Sequence, residues 1–105
     1  RNTDIYIINQ GLIAESLALD LSRKLRNYDL IVELDLSGAS FSKQFKKANK
    51  LKSKSIIVIG DDEAVKGEFT IRLFDQSGNG NEEEVISFEN DIELEKWINN
   101  NLLAK

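Results

Sequence analysis

Five stretches of the chain have the apolar pattern of β-strands. Three are short, almost continuously apolar and rich in Ile and Val, and they cover residues 4–8, 30–34 and 56–59. Runs of this kind are typical of parallel strands that are buried on both faces. Residues 68–74 instead alternate apolar and polar positions, and a last strand-like stretch, residues 84–88, follows a polar turn at residues 76–81. The fourth and fifth strands are therefore predicted to form an antiparallel hairpin.

Three amphipathic stretches lie between and after these strands and predict helices. The first covers residues 12–28, the second begins near Phe41, and the third begins at Asn90 or Asp91, either of which has a side chain suited to cap it. The predicted buried side chains are Ile13, Leu17, Leu21 and Leu25 in the first helix, Phe41, Phe45, Ala48 and Leu51 in the second, and Ile92, Leu94, Trp97, Ile98 and Leu102 in the third. This order of elements predicts a single α/β domain over residues 1–105, with right-handed crossovers.

Composition restricts the chemistry that the chain itself can perform. The 105 residues include no Cys and no His, which excludes disulfides, thiol nucleophiles, an imidazole base and the usual zinc ligands. No apolar run approaches the ~20 residues that span a bilayer, so we expect a cytoplasmic protein. The chain has no Met and opens at Arg1 close to its first strand. We therefore expect a domain excised from a longer protein.

The second predicted helix carries an unusual concentration of positive charge. Residues 36–60 contain six lysines and no acid, in a chain whose net charge is −4. On a helical wheel, four of the lysines fall opposite the apolar side: Lys43, Lys46, Lys47 and Lys50. Such a face is either a solvated helix surface or a contact for a phosphate backbone.

Two loops that follow strands are candidates for chemistry. Residues 60–63, Gly-Asp-Asp-Glu, follow the third strand, where open α/β sheets place ligands. The three acids favour either a magnesium site or a helical turn capped by Asp61 or Asp62 and ending at Gly67. Residues 9–11, Asn-Gln-Gly, hold one glycine where a dinucleotide-binding loop needs three. The residues alone thus favour a binding module over an enzyme site.

Three segments together resemble a known family. They are residues 38–50 (Gly-x-Ser-Phe-x-Lys-Gln-Phe-Lys-x-Ala-Asn-Lys), residues 57–63 (Ile-Val-Ile-Gly-Asp-Asp-Glu) and residues 67–72 (Gly-x-Phe-x-Ile-Arg). In combination they resemble the C-terminal anticodon-binding domain of histidyl-tRNA synthetases, whose fold the threonyl, prolyl and glycyl enzymes share. The resemblance runs over nearly the whole chain.

The resemblance implies a three-layer α/β/α fold with a mixed five-stranded sheet in the order 2-1-3-4-5 and strand four antiparallel. It also implies a parent enzyme, typically a homodimer, that joins histidine to its tRNA with ATP and Mg²⁺. The catalytic domain of that parent would precede Arg1. The partner of this chain would be the anticodon stem-loop of tRNA, with no cofactor bound by the chain itself.

The resemblance also implies which residues contact tRNA, and none of them is catalytic or holds a metal. Glu63 and Arg72 stand at positions that contact anticodon bases in related domains, and they converge on one pocket if strand four pairs with strand three. The further predicted contacts are Gly38, Ser40, Lys43, Gln44 and Lys47. The chain departs from the family at Ala39, where a basic residue is common, so one phosphate contact is expected to be missing.

Two other interpretations stay open at this point. The same domain occurs in parents that are not synthetases, namely a regulatory protein kinase and a polymerase accessory subunit. A flavodoxin-like module for a nucleotide or a protein partner is the second alternative, and the missing phosphate loop argues against its nucleotide version.

Overall fold

The computed structural model describes residues 2–74 and 82–103. Its elements, in chain order, are β1 (Ile5–Gln10), α1 (Leu12–Arg26), β2 (Val32–Leu34), α2 (Phe41–Lys50), β3 (Ser55–Gly60), α3 (Asp61–Lys66), β4 (Glu68–Leu73), β5 (Glu84–Ser87) and α4 (Asp91–Ile98). A π-helical segment, Asn99–Leu103, continues α4. The predicted turn at residues 76–81 lies outside the described residues. In the part of the chain that is described, no helix is long and apolar enough to cross a membrane.

The five strands form one mixed sheet in the order β2-β1-β3-β4-β5. β1 runs parallel to both β2 and β3, whereas β4 is antiparallel to β3 and β5 is antiparallel to β4. The implied order and the antiparallel fourth strand are both confirmed. The apolar runs of β1 and β3 occupy the centre of the sheet, where helices cover both of their faces.

Helices pack on both faces of the sheet and make three layers. On one face, the apolar side chains of α1, α3 and α4 pack with those of the strands, and Trp97 is buried among them. On the other face α2 alone covers a smaller cluster around Tyr6, Ile8 and Ile56. The predicted three-layer architecture is confirmed, and α2 is its single-helix layer.

Three side chains that the helical periodicity predicted to be buried are exposed instead. Ile13 is 49% exposed, Leu51 45% and Ile92 76%. Ile13 lies beside the buried stripe of α1, which runs through Ala14, Ala18, Leu21, Ser22 and Leu25. Small side chains in that stripe let the helix approach the sheet closely. Leu51 is the C-cap of α2 and lies beyond the last turn of the helix. Ile92 lies in the first turn of α4, directly after the Asn90 cap.

Candidate nucleic-acid interface

One buried side chain holds α2 against the end of β1. Gln44 is completely buried. Its Nε2 donates to the carbonyl oxygens of Asn9 and Ala39, both at 2.8 Å, and its Oε1 accepts from the Asn9 N–H at 2.9 Å. Every polar atom of the side-chain amide is therefore engaged within the fold. The structure thus gives Gln44 a role in positioning α2, and its contact with tRNA stays a prediction.

Anchoring Gln44 inward turns the lysines of α2 outward. Lys43, Lys46, Lys47 and Lys50, here called the lysine face, are all exposed. No ion pair joins any of them to an acid in the parts of the chain that the structure describes. Four exposed cations on one helix face create a local positive potential on an otherwise acidic protein.

A buried carboxylate fixes the loop between β2 and α2. Asp35 accepts hydrogen bonds from the Tyr6 hydroxyl at 2.6 Å and from the Ser37 N–H and hydroxyl at 2.9 and 2.5 Å. Burial alone would raise the pKa of Asp35, but the bonds from Ser37 and Tyr6, with the charge of Lys47, lower the pKa below its ordinary value. Asp35 therefore stays ionised at neutral pH and holds its donors in place.

The rest of this loop is exposed at the start of α2. Ser40 caps the helix, and its hydroxyl accepts from the Lys43 N–H at 3.3 Å. Gly38 has a φ of 68°, and a Cβ placed there would have no neighbour within 4 Å. Its backbone is therefore open to close approach by a ligand.

A groove of about 440 Å³ lies beside the lysine face. It is here called the base groove, and its lining residues are Phe45, Val58, Glu63, Glu68, Thr70, Arg72, Glu83 and Val85. The antiparallel pairing of β3 with β4 sets Val58 opposite Thr70, while β5 brings Val85 to the far side of Thr70. Glu63 and Arg72 thus line the same groove, in the arrangement expected when strand four pairs with strand three.

Arg72 is held by aromatic rings. Its Cζ lies 6.0 Å from the ring centroid of Phe45 and 5.6 Å from that of Phe74, within reach of cation–π attraction. Among the described residues no acid forms an ion pair with Arg72. Phe74 was not among the predicted site residues, although strand periodicity puts it on the same side as Arg72, which lies two residues earlier.

Two of the three acids that follow β3, Asp61 and Glu63, have structural partners. Glu63 Oε1 accepts from the Gly60 N–H at 2.9 Å. Asp61 does not cap α3, as one interpretation predicted, because Gly60 is the N-cap. Instead Asp61 Oδ1 accepts from the Ala14 N–H at 3.1 Å and so caps α1. Within residues 2–74 and 82–103, no group of three potential ligands is placed to hold a metal ion.

Comparison with known proteins gives a consistent result. The family model of an anticodon binding domain matches residues 4–97. The histidine–tRNA ligase of Prochlorococcus marinus strain AS9601 is 90% identical over 105 residues, which are the whole of this chain and 25% of that protein. The ligase of strain CCMP1986 is 74% identical over 103 residues, which are 24% of its length. The chain thus spans about a quarter of the length of the curated relatives it matches.

Solved structures agree with the sequence relatives. The apo histidyl-tRNA synthetase of S. aureus superposes with a TM-score of 0.73 at 28% identity, over 89% of this chain and 26% of that protein. An RNA binding domain of threonyl-tRNA synthetase from Cryptosporidium parvum gives the same TM-score at 20% identity, over 90% of this chain and 23% of that one. The latter likeness concerns the fold alone.

Proposed function

The chain belongs to the anticodon-binding domain family, and from this premise we propose that it binds the anticodon loop of histidine tRNA as part of a histidine–tRNA ligase. The observation that carries the proposal is the base groove, where Glu63 and Arg72 meet beside the lysine face. A carboxylate accepts from the amino and imino groups of a base, and a guanidinium donates to its acceptor edge. Unstacked bases of an RNA loop expose these edges.

The base groove and the lysine face differ in charge, which supports different RNA contacts for each. Among the described residues, three carboxylates, Glu63, Glu68 and Glu83, line the base groove with Arg72 as the single cation. This surplus of negative charge repels phosphate but leaves acceptors for base N–H groups. The lysine face has the opposite sign, which suits the RNA backbone. Phosphates therefore lie along α2 and a splayed base enters the groove.

Of the other predicted contacts, Gly38 and Ser40 complete the phosphate surface. The Gly38 backbone is open, and Ser40 lies at the N-terminus of α2, where the helix dipole favours an anion next to Lys43. Gln44 contributes by holding α2 in place, because its side-chain amide is engaged within the fold. Lys43 and Lys47 are the proposed phosphate contacts.

The proposed parent protein joins histidine to tRNA with ATP and Mg²⁺ in a catalytic domain outside this chain, and it acts as a cytoplasmic homodimer. The names of the sequence relatives support this parent over a kinase or a polymerase accessory subunit. The chain has no His, no Cys and no glycine-rich phosphate loop. We therefore expect no histidine-dependent ATP–pyrophosphate exchange from the chain alone.

The proposal is tested by tRNA binding to variants of the full-length ligase. The double variant K43A/K47A should weaken binding of cognate and anticodon-substituted tRNA equally. It should also flatten the salt dependence by about 0.7 log units per log salt for each phosphate interaction that is removed. The variant R72A should instead reduce discrimination between the two tRNAs by about 1–3 kcal/mol.

A charge-matched control separates local contacts from a change in net charge. Lys66 and Lys96 lie in the last turns of α3 and α4, which pack on the opposite face of the sheet. The variant K66A/K96A removes the same two charges and should leave both the salt slope and the discrimination unchanged. If K43A/K47A behaves like this control, the lysine face is only a solvated surface. If R72A weakens both tRNAs equally, Arg72 does not read a base.

A further inference from the structure

Two phenylalanines from different elements lie close to the guanidinium of Arg72. Phe45 comes from α2 and Phe74 follows β4, and their ring centroids are 6.4 Å apart with the planes inclined by 42°. The Arg72 Cζ lies within 6.0 Å of both centroids. Arg72 has many rotamers when it is unrestrained, so attraction to two neighbouring rings reduces the positions that its guanidinium samples.

The way in which Arg72 is held leaves its donors available. An attraction between a cation and a ring uses the π face and consumes none of the five guanidinium N–H groups. A carboxylate partner, by contrast, would occupy two of these N–H groups and compete with a base. The structure thus restrains Arg72 without an ion pair to any described acid and keeps its hydrogen-bonding capacity for a ligand.

We propose that Phe45 and Phe74 are positioning residues that fix Arg72 for reading a base in the groove, an inference that rests on the proposed function. The two rings differ in their position relative to the base groove. Phe45 also lines the base groove and shares α2 with the lysine face, whereas Phe74 is not among the lining residues. Because Phe74 does not itself line the groove, it is the cleaner position for a test.

The experiment is a double-mutant cycle in the full-length ligase, with F74L, R72A and the combined variant. Binding of cognate and anticodon-substituted tRNA is measured for each. We expect F74L to reduce discrimination by about 2- to 5-fold, the equivalent of about 0.5–1 kcal/mol for one cation–π contact. The salt slope should not change, because every phosphate interaction is kept. In the R72A background, F74L should have no further effect on discrimination.

Two further variants test whether F74L acts merely through a general loss of packing. F74Y keeps an aromatic face and should retain the discrimination of the unaltered protein. F88L makes the same change as F74L in a ring pair on the other face of the sheet, where Phe88 packs edge-to-face on Phe69. It should lower the melting temperature without altering discrimination.

The outcomes separate this inference from the proposed function. If R72A reduces discrimination but F74L does not, the proposed function stands and the positioning role is refuted. If F74L weakens both tRNAs equally and does so again in the R72A background, Phe74 is only a packing residue. If R72A leaves discrimination unchanged, both the base-reading role of Arg72 and the positioning role of the two rings are refuted.

Discussion

Replacing Gln44 with alanine tests whether one buried amide holds α2 on the sheet. The substitution removes three hydrogen bonds and leaves the Asn9 N–H without its acceptor. Each neutral hydrogen bond contributes about 1 kcal/mol, and an unpaired buried N–H costs about 1–3 kcal/mol. We therefore expect Q44A to lower the free energy of unfolding by about 3–5 kcal/mol. That is a large part of the ~5–15 kcal/mol available to a domain.

Urea denaturation of the chain provides the measurement. Trp97 is the single tryptophan and is 5% exposed, so its fluorescence reports unfolding of the core. At about 4–8 °C per kcal/mol for a domain of this size, the melting temperature should also fall by about 12 °C or more. The matched control is Q10A, the same change at an exposed position at the end of β1, with an expected effect within ~0.5 kcal/mol.

The reasoning fails if Q44A costs no more than Q10A. A stable Q44A protein that binds tRNA poorly would show instead that Gln44 contacts RNA, as the family resemblance implied. The charge-bearing variant Q44E should be at least as destabilising as Q44A at neutral pH, because it buries a carboxylate against the carbonyl oxygens of Asn9 and Ala39.

Two further predictions concern the loops that position the interface. Asp35→Asn should lower the free energy of unfolding by about 2 kcal/mol at neutral pH, because its donors lose a charged acceptor. The fold lowers the pKa of Asp35 from 3.8, so this stabilisation is present above pH 3.8 and is lost as the pH falls further. Urea titrations should therefore show the difference in free energy of unfolding between the unaltered protein and Asp35→Asn becoming smaller in acid. A difference that stays constant with pH would contradict the stabilising role of the Asp35 carboxylate. Gly11→Ala should cost about 1–3 kcal/mol or more, since Gly11 has a φ of 113° and a Cβ there would overlap the Asp61 carboxylate. Gly38→Ala, with a φ of 68° but open space, should cost less, and equal losses would rule out the overlap as the cause.

The strands were predictable because their burial matches a simple period. Central strands covered on both faces need apolar side chains at every position, and β4, covered on one face, needs them at every second position. The order of the strands in the sheet could not be predicted in this way, because periodicity carries no information about which strands are neighbours. That order came from the family resemblance, and the pairing in the structure confirms it.

The buried faces of the helices were predicted less well. The prediction assigned large apolar residues to the buried face, but close packing of a helix on a sheet favours small side chains there. In α1 the four-residue repeat of large apolar residues pointed to Ile13, but Ala14 and Ala18 face the sheet. In α2 the family resemblance named Gln44 as a tRNA contact, and its complete burial was not predicted. Its spacing from Phe41 and Ala48, three and four residues away, belongs to the buried stripe and was the available signal.

The base groove exists because the last helix packs on the opposite face of the sheet. Along β4, Phe69 and Ile71 are completely buried in the cluster that contains α4, and Glu68, Thr70 and Arg72 alternate with them on the side of α2. One strand therefore builds the core with one set of positions and the candidate site with the other. A one-residue slip in the register of β4 would exchange the two sets, turning Arg72 toward the face that α4 covers and Phe69 toward the groove. The alternation of β4 thus ties the stability of the fold to the position of the residue proposed to read the base.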